Sequence, residues 1–122
     1  MTLPDDLLKQ VRRWMDKAEN DLINAEHTLT LRENCPLDTV CFHAQQCAEK
    51  YLKAFLVFHR VDFPKTHDLI FLLNLVAQIK PIETDIIEVR NLNRYSIEAR
   101  YPGDWEPIPR AEAQNAVAAA KM

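Results

Sequence analysis

The chain has 122 residues, of which 48% are hydrophobic and 27% charged, and its formal net charge is −3. This length suits one core without disulfides or metal ions, so we expect residues 1–122 to form a single domain. No apolar run approaches the roughly 18 residues of a membrane span, and no export signal precedes the first helix, so we expect a cytoplasmic protein. The negative net charge argues against broad DNA binding.

Glycine and cysteine exclude several kinds of site. Gly103 is the only glycine, whereas phosphate-binding loops, dinucleotide fingerprints and tight hairpins each need several. The three cysteines, Cys35, Cys41 and Cys47, lie in or beside one predicted helix without the spacing of a metal site. We therefore predict buried free thiols and no metal or cofactor.

The first half of the chain predicts two long helices. Between Leu3 and Leu31, apolar residues recur every seven positions in two series offset by four, which is typical of an amphipathic helix. Trp14 lies near this stripe and is expected in the core. Asn34-Cys35-Pro36 interrupts the pattern, and a second helix is predicted to run to about His59.

The second half predicts shorter helices. Arg60–Lys65 reads as a loop, and Thr66 is a candidate N-cap for a third helix that ends at Pro81. Thr84 is a candidate cap for a fourth helix, which carries Ile86, Ile87, Leu92 and Tyr95 and must stop before Pro102-Gly103. The alanine-rich Arg110–Met122 predicts a last helix that packs through small residues. Without any segment of clear strand alternation, the fold class is all-α, an up-and-down antiparallel bundle of four to five helices.

A line of polar residues follows the apolar face of the second helix: Gln45, Gln46, Glu49, Lys50 and Lys53. Glu49 and Lys53 are four residues apart with the acid first, which favours a solvated salt bridge on the helix surface. Alternatively, Gln46, Lys50 and Lys53 line a cleft or a subunit interface.

Two histidines lie near these polar residues. His43 stands on the second helix and is expected to be hydrogen-bonded rather than metal-bound, because no metal-ligand spacing surrounds it. Thr66-His67-Asp68 precedes the third helix and either only caps it or also binds an anion. In the second case, exposed N–H groups would attract a phosphate and His67 would donate to it.

Basic residues recur towards the end of the chain. Arg90 and Arg94 share a face of the predicted fourth helix, and Arg100-Tyr101 follows where that helix ends. Two arginines on one face repel each other, which indicates an anionic group opposite them. That group is either a ligand or a carboxylate of the chain itself, such as Glu98.

Four segments together resemble the HEPN family, the higher eukaryote and prokaryote nucleotide-binding domain, in its small stand-alone prokaryotic form. They are Trp14-x-x-Lys17-Ala18-Glu19-x-Asp21-Leu22, Phe42-His43-Ala44-Gln45-Gln46-Cys47-Ala48-Glu49-Lys50 with Leu52-Lys53-Ala54, Thr66-His67-Asp68-Leu69, and Ala99-Arg100-Tyr101-Pro102. Their order and approximate spacing match the family over nearly the whole chain.

The resemblance implies a homodimeric helical bundle that binds a nucleotide or another phosphate-bearing ligand. It also implies that the chain acts as a non-catalytic partner of a minimal nucleotidyltransferase. In some relatives the two proteins form a toxin–antitoxin pair. Arg100 and Tyr101 would hold the phosphate and the base. Further candidates for the binding site are His67, Arg94, Lys50 and Lys53.

Two alternatives stay open at this point. Some HEPN proteins are metal-independent ribonucleases whose late helix carries an arginine and, after a spacer of four to six residues, a histidine. In this chain Arg94 is followed six positions on by Arg100, and no histidine occurs after His67. We therefore predict no catalytic residue. The first alternative is an RNA-cleaving toxin in which another residue replaces the histidine, and the second is a purely structural dimerisation module.

Overall fold

A computed structural model describes residues 5–80, 92–93 and 110–121. Within these ranges the chain forms four helices and no strand: α1 (Asp5–Leu29), α2 (Leu37–Phe58), α3 (Leu69–Ile79) and α4 (Arg110–Lys121). The prediction of an all-α bundle is confirmed. The fourth predicted helix lies outside the described residues, except that residues 92–93 are helical. No helix in the described part of the chain is long and apolar enough to cross a membrane.

Helices α1 and α2 form an antiparallel pair. Near the start of α1, Trp14 lies beside Lys53 of α2, and further along, Asp21 contacts both His43 and Lys50. Beyond these, the thiol of Cys35 donates to the carbonyl of Thr28 over 3.3 Å. Since residue numbers rise on α1 as they fall on α2, the two helices run in opposite directions and bring their polar residues face to face.

Small residues fill the core where α1, α2 and α4 meet. The buried cluster includes Ala18, Ala25, Ala44, Ala113, Ala116 and Val117. Small side chains let helix backbones approach closely, so the predicted packing of the alanine-rich tail is confirmed. A second buried cluster, formed by Leu56, Leu72 and Val76, joins the end of α2 to α3.

The N-cap of α3 is Asp68, and the prediction of Thr66 is wrong. The Asp68 carboxylate accepts hydrogen bonds from the backbone N–H groups of Ile70 and Phe71 at 3.0 and 3.4 Å. Thr66 instead accepts from the N–H of Asp68 over 3.1 Å, one step before the helix. Asn93 adds a donor to Asp68 and accepts from the N–H of Leu69, so the cap is tied to a distant part of the chain.

The ends of α1 and α2 are closed without glycine. The Arg110 guanidinium donates to the carbonyl of Leu29 over 2.7 Å, an acceptor that the end of α1 leaves free, and also to the carbonyl of Leu31 just beyond the helix. At the end of α2, Arg60 has a φ of 58°, and the N–H groups of Arg60 and Val61 bond to the carbonyls of Val57 and Leu56. This is a Schellman ending with arginine where glycine is usual.

Candidate binding cleft and the polar clusters around it

A cleft of about 540 Å³ lies along α1 beside α2. Its lining residues are Gln10, Arg13, Trp14, Lys17 and Lys50. The four from α1 are spaced at i, i+3, i+4 and i+7, so the helix places them on one face. The cleft thus combines three basic side chains, one indole and one amide.

The charges around the cleft are only partly balanced by the protein. The Nζ atom of Lys50 lies 2.5 Å from Oδ2 of Asp21, and the other carboxylate oxygen, Oδ1, lies 2.8 Å from Nδ1 of His43. Arg13 and Lys17 are exposed, and neither has a carboxylate within ion-pair distance in the described ranges. Two cations on this surface are therefore available to an anion from solution.

Trp14 lines one wall of the cleft and is not a fully buried core residue. Its ring packs edge-on against Phe63, with centroids 6.3 Å apart and an interplanar angle of 67°. The Lys53 ammonium lies 5.4 Å from the Trp14 ring centroid and 5.8 Å from that of Phe63. The expectation that Trp14 belongs to the core is correct for one side of the residue only, because the residue is half-buried and also lines the cleft.

A buried polar cluster supports this wall from beneath and centres on Glu49. One carboxylate oxygen lies 2.7 Å from Nδ1 of His67, and the other accepts from Lys53 over 3.3 Å. Gln45 donates to the Glu49 carboxylate and to the backbone carbonyl of His67, at 3.5 and 3.1 Å. Gln46 completes the cluster by donating to the Gln45 side chain over 2.7 Å.

The prediction of a solvated salt bridge between Glu49 and Lys53 is wrong. The pair exists, but its side chains are only 3% and 7% exposed. The physical reason is the position of α2, which α1, α3 and α4 all contact, so that polar residues at the edge of its apolar stripe are enclosed. Of the residues expected to line a cleft, Lys50 does so, whereas Gln46 is buried in the cluster.

Of the six predicted binding residues, the structure describes Lys50, Lys53 and His67 and places them in different surroundings. Lys50 reaches the cleft, Lys53 lies against Trp14, and the His67 ring, 53% exposed, is held by Glu49 at the edge of the buried cluster. The predicted hydrogen bonding of His43 is confirmed by its contact with Asp21. Arg94, Arg100 and Tyr101 lie outside the described residues, and the binding role of all six stays a prediction.

The sequence analysis missed the α1 side of the cleft. Trp14 was predicted as a core residue and Lys17 was used only as a family motif position, while Gln10 and Arg13 were not considered. A usable signal was present, since Arg13 and Lys17 are like charges four residues apart beside an aromatic residue. Helical spacing alone puts them on one face, but only the docking of α2 adds Lys50 opposite them.

None of the three cysteines forms a disulfide bond. Cys41 and Cys47 are buried, as predicted, whereas Cys35 is half-buried. Burial, reinforced by the nearby Asp21 carboxylate, raises the pKa of Cys47 to about 12, so this thiol stays protonated near neutral pH and is a poor nucleophile. Among the described residues, no group of three or more potential metal ligands is clustered.

Comparison with known proteins assigns the family. The HEPN domain matches residues 11–122, a span that contains Arg13, Trp14, Lys17 and Lys50 of the cleft as well as the buried cluster. No match is found among curated proteins or among solved structures. Because the family match covers nearly the whole chain, this chain belongs to the HEPN domain family.

Proposed function

We propose that this HEPN domain protein binds a phosphate-bearing ligand, most simply a nucleotide, in the cleft between α1 and α2. The observation that carries the proposal is the lining of the cleft, in which Arg13, Lys17 and Lys50 converge beside Trp14. The proposal keeps the ligand class expected from the sequence. It adds a binding site on α1 to the candidates Arg100 and Tyr101.

Electrostatics favours an anion at this position. Arg13 and Lys17 are four residues apart on one helix, and like charges at this spacing destabilise a helix by about 0.2–0.5 kcal/mol. A phosphate between them removes that repulsion and gains charge-assisted hydrogen bonds, for which the planar guanidinium of Arg13 is well shaped. Lys50 contributes less, because Asp21 already holds its ammonium group.

The size and the aromatic wall favour a nucleotide over a bare phosphate. Clefts that bind small molecules usually measure about 300–1,000 Å³, and the value of about 540 Å³ falls within that range. Indole rings stack on nucleobases irrespective of base identity, a contact that contributes about 1–3 kcal/mol. Trp14 is fixed by Phe63 and Lys53, so it offers a preformed surface.

Isothermal calorimetry with ATP, AMP and pyrophosphate tests the proposal. Wild-type protein should bind at least one nucleotide, and Arg13→Ala or Lys17→Ala should each weaken binding roughly tenfold or more through loss of a charge-assisted contact. Lys9→Ala is the matched control, because it removes an exposed charge from the same helix outside the cleft and should leave the affinity unchanged.

Further variants separate this cleft from the other candidate site. Trp14→Leu should weaken nucleotide binding more than pyrophosphate binding, since only the nucleotide has a base to stack. If Arg100→Ala abolishes binding while Arg13→Ala and Lys17→Ala do not, the ligand site is at Arg100 and the cleft proposal is wrong. If no nucleotide binds the wild type below millimolar concentration, ligand binding as such is rejected.

We also propose that the protein acts without catalysis beside a minimal nucleotidyltransferase, as one half of a toxin–antitoxin pair. Membership in the HEPN family is the support for this part of the proposal. Co-expression with a nucleotidyltransferase encoded next to this chain, followed by affinity purification, should recover both proteins in a stable complex. Robust metal-independent RNA cleavage by the purified protein would contradict the non-catalytic role.

A further inference from the structure

A single buried carboxylate contacts both a residue of the cleft and a histidine outside it. The side chain of Asp21, on α1, is 12% exposed. Its Oδ2 atom lies 2.5 Å from Nζ of Lys50, and its Oδ1 atom lies 2.8 Å from Nδ1 of His43. Lys50 lines the cleft, whereas His43 does not. We call Asp21, His43 and Lys50 the Asp21 cluster.

The charge of the Asp21 cluster depends on whether His43 carries a proton. While the ring is neutral, the carboxylate balances the Lys50 ammonium, and the cluster has no net charge. When the ring is protonated, one carboxylate lies between two cations, and the cluster is positive overall. Histidine is the residue type whose charge ordinarily changes between pH 5 and 8, so the cluster contains a group that can respond to pH.

The other ionisable groups around His43 lie on α1 and α2. Asp21 faces it from α1, and Glu26 of the same helix is close enough to act on the thiol of Cys47. Cys47 and Lys50 follow His43 on α2 by one and two turns. Burial raises the pKa of Cys47 to about 12, so this thiol keeps its proton throughout the range in which histidines titrate.

Helices α3 and α4 bring no histidine or cysteine towards the cluster. Helix α3 has no ionisable residue, and α4 carries Arg110, Glu112 and Lys121, whose side-chain types ordinarily keep their charges between pH 5.5 and 8. No histidine or cysteine follows His67 in the sequence. The response of the cluster to mild acid is therefore assigned to His43.

We propose that His43 is a proton-controlled switch for the ligand cleft, an inference that rests on the proposed function of that cleft. A protonated His43 neutralises the Asp21 carboxylate, and the Lys50 ammonium becomes available to the phosphate of the ligand. Nucleotide affinity therefore rises as the pH falls and His43 gains its proton. Because linkage is reciprocal, binding of the anion also raises the proton affinity of His43, and the protein takes up protons on binding.

The switch changes one of the three cations of the cleft. Arg13 and Lys17 have no carboxylate within ion-pair distance in the described ranges, so they are available to a ligand at either pH. The Lys50 side chain is 21% exposed, so solvent screens its contact with a ligand in part. We therefore expect a change in affinity of roughly threefold to tenfold.

Isothermal calorimetry with ATP at pH 5.5 and pH 8 tests the switch. The quantity compared is the affinity of the wild type divided by that of His43→Gln, because terminal phosphates also gain a proton at about pH 6 and the ratio cancels this effect. The ratio should be close to one at pH 8 and roughly three to ten at pH 5.5. In buffers of different ionisation enthalpy, the wild type should take up more protons on binding than His43→Gln.

Two further variants test the route through Lys50. His43→Lys carries a permanent charge, so it should bind ATP roughly threefold to tenfold more tightly than the wild type at pH 8. In a Lys50→Gln background, His43→Gln should have no effect at either pH, because Asp21 has no ammonium to release. A ratio that still rises at pH 5.5 in this background overturns the assigned route.

His27→Gln is the matched control, because it removes an exposed histidine of α1, and it should keep the wild-type response. If His67→Gln abolishes the response and His43→Gln does not, the switch is wrongly assigned. A ratio of one at pH 5.5 overturns the switch, while ATP binding sensitive to Arg13→Ala still supports the cleft. If ATP binds at neither pH, the cleft and its switch are rejected together.

Discussion

Helices α1 and α2 are similar in length but use their polar and apolar residues in opposite ways. Of the 25 residues of α1, only Ala18, Asp21 and Ala25 are buried, and its basic residues Arg13 and Lys17 face solvent. Helix α2 instead buries polar side chains along its length: Gln45, Gln46, Glu49 and Lys53. Similar residue types are thus available for binding on one helix and committed to internal contacts on the other.

The difference follows from the number of neighbours around each helix. Among the described helices, α2 contacts α1, α3 and α4, whereas α1 contacts only α2 and α4. A buried charge must be paired, because an unpaired one costs several kcal/mol, and accordingly no buried side-chain nitrogen or oxygen of the described residues lacks a hydrogen-bond partner. A charge on a basic residue therefore indicates ligand binding only after its burial and partners are known.

The strongest test of this difference is Glu49→Ala. Removing the carboxylate leaves the Lys53 ammonium buried between Trp14 and Phe63, and breaking a buried pair in this way costs about 3–5 kcal/mol. Urea unfolding followed by circular dichroism should show a loss of this size. Glu19→Ala on the exposed face of α1 removes the same group and should change the free energy of unfolding little.

A double variant separates the cost of the orphaned charge from the cost of lost packing. Glu49→Gln/Lys53→Met removes both charges and keeps the side-chain volumes, so it should be clearly more stable than Glu49→Ala. If the two proteins unfold at the same urea concentration, the buried pair does not account for the sensitivity of this position.

Asp21→Asn affects the point where the two helices meet. Asp21 is the one buried charged residue of α1, and it contacts both His43 and Lys50. Losing the carboxylate should cost about 1.5–3 kcal/mol of folding stability, the usual contribution of hydrogen bonds to charged groups. It should also strengthen nucleotide binding a few-fold, because Lys50 no longer has an internal counter-ion. A loss of stability together with a loss of affinity would contradict the assigned role of Lys50 in the cleft.

The smallest expected effect is a loss of stability in alkaline solution that originates in α2. Burial raises the pKa of Cys47 from 9.0 to about 12, and burial together with Cys47 raises that of Tyr51. Above about pH 9 the unfolded chain releases the thiol proton while the folded chain keeps it, so stability present below pH 9 is lost as the pH rises towards 12. Urea midpoints measured at pH 8 and pH 10.5 should show this decline.

Variants identify the groups responsible. Cys47→Ala should reduce the decline between the two pH values, and Tyr51→Phe should reduce it further in combination. Cys35→Ala is the control, because Cys35 is only half-buried. A pH dependence unchanged by Cys47→Ala would show that the thiol is not the source.

Much of the fold follows from local pattern. Apolar periodicity predicted α1, α2 and α3 close to their observed bounds, because an amphipathic stripe requires one buried face, and the high helix propensity of alanine predicted α4. The N-cap of α3 was misplaced from Asp68 to Thr66, since both residues cap helices well and are only two positions apart. The choice depends on Asn93, whose side chain contacts Asp68 and Leu69 from 24 or more residues away.

The sequence by itself determined the family, the helical class and the polar line on α2, because periodicity, capping residues and ordered motifs are local properties of a chain. Only the tertiary structure decided which charges are available to a ligand. Lys53 and Lys50 lie three residues apart on one helix, yet one is enclosed by Glu49 and Trp14 while the other reaches a cleft completed by α1. Burial depends on which helices pack around a residue, and that packing brings together side chains that are distant in the sequence.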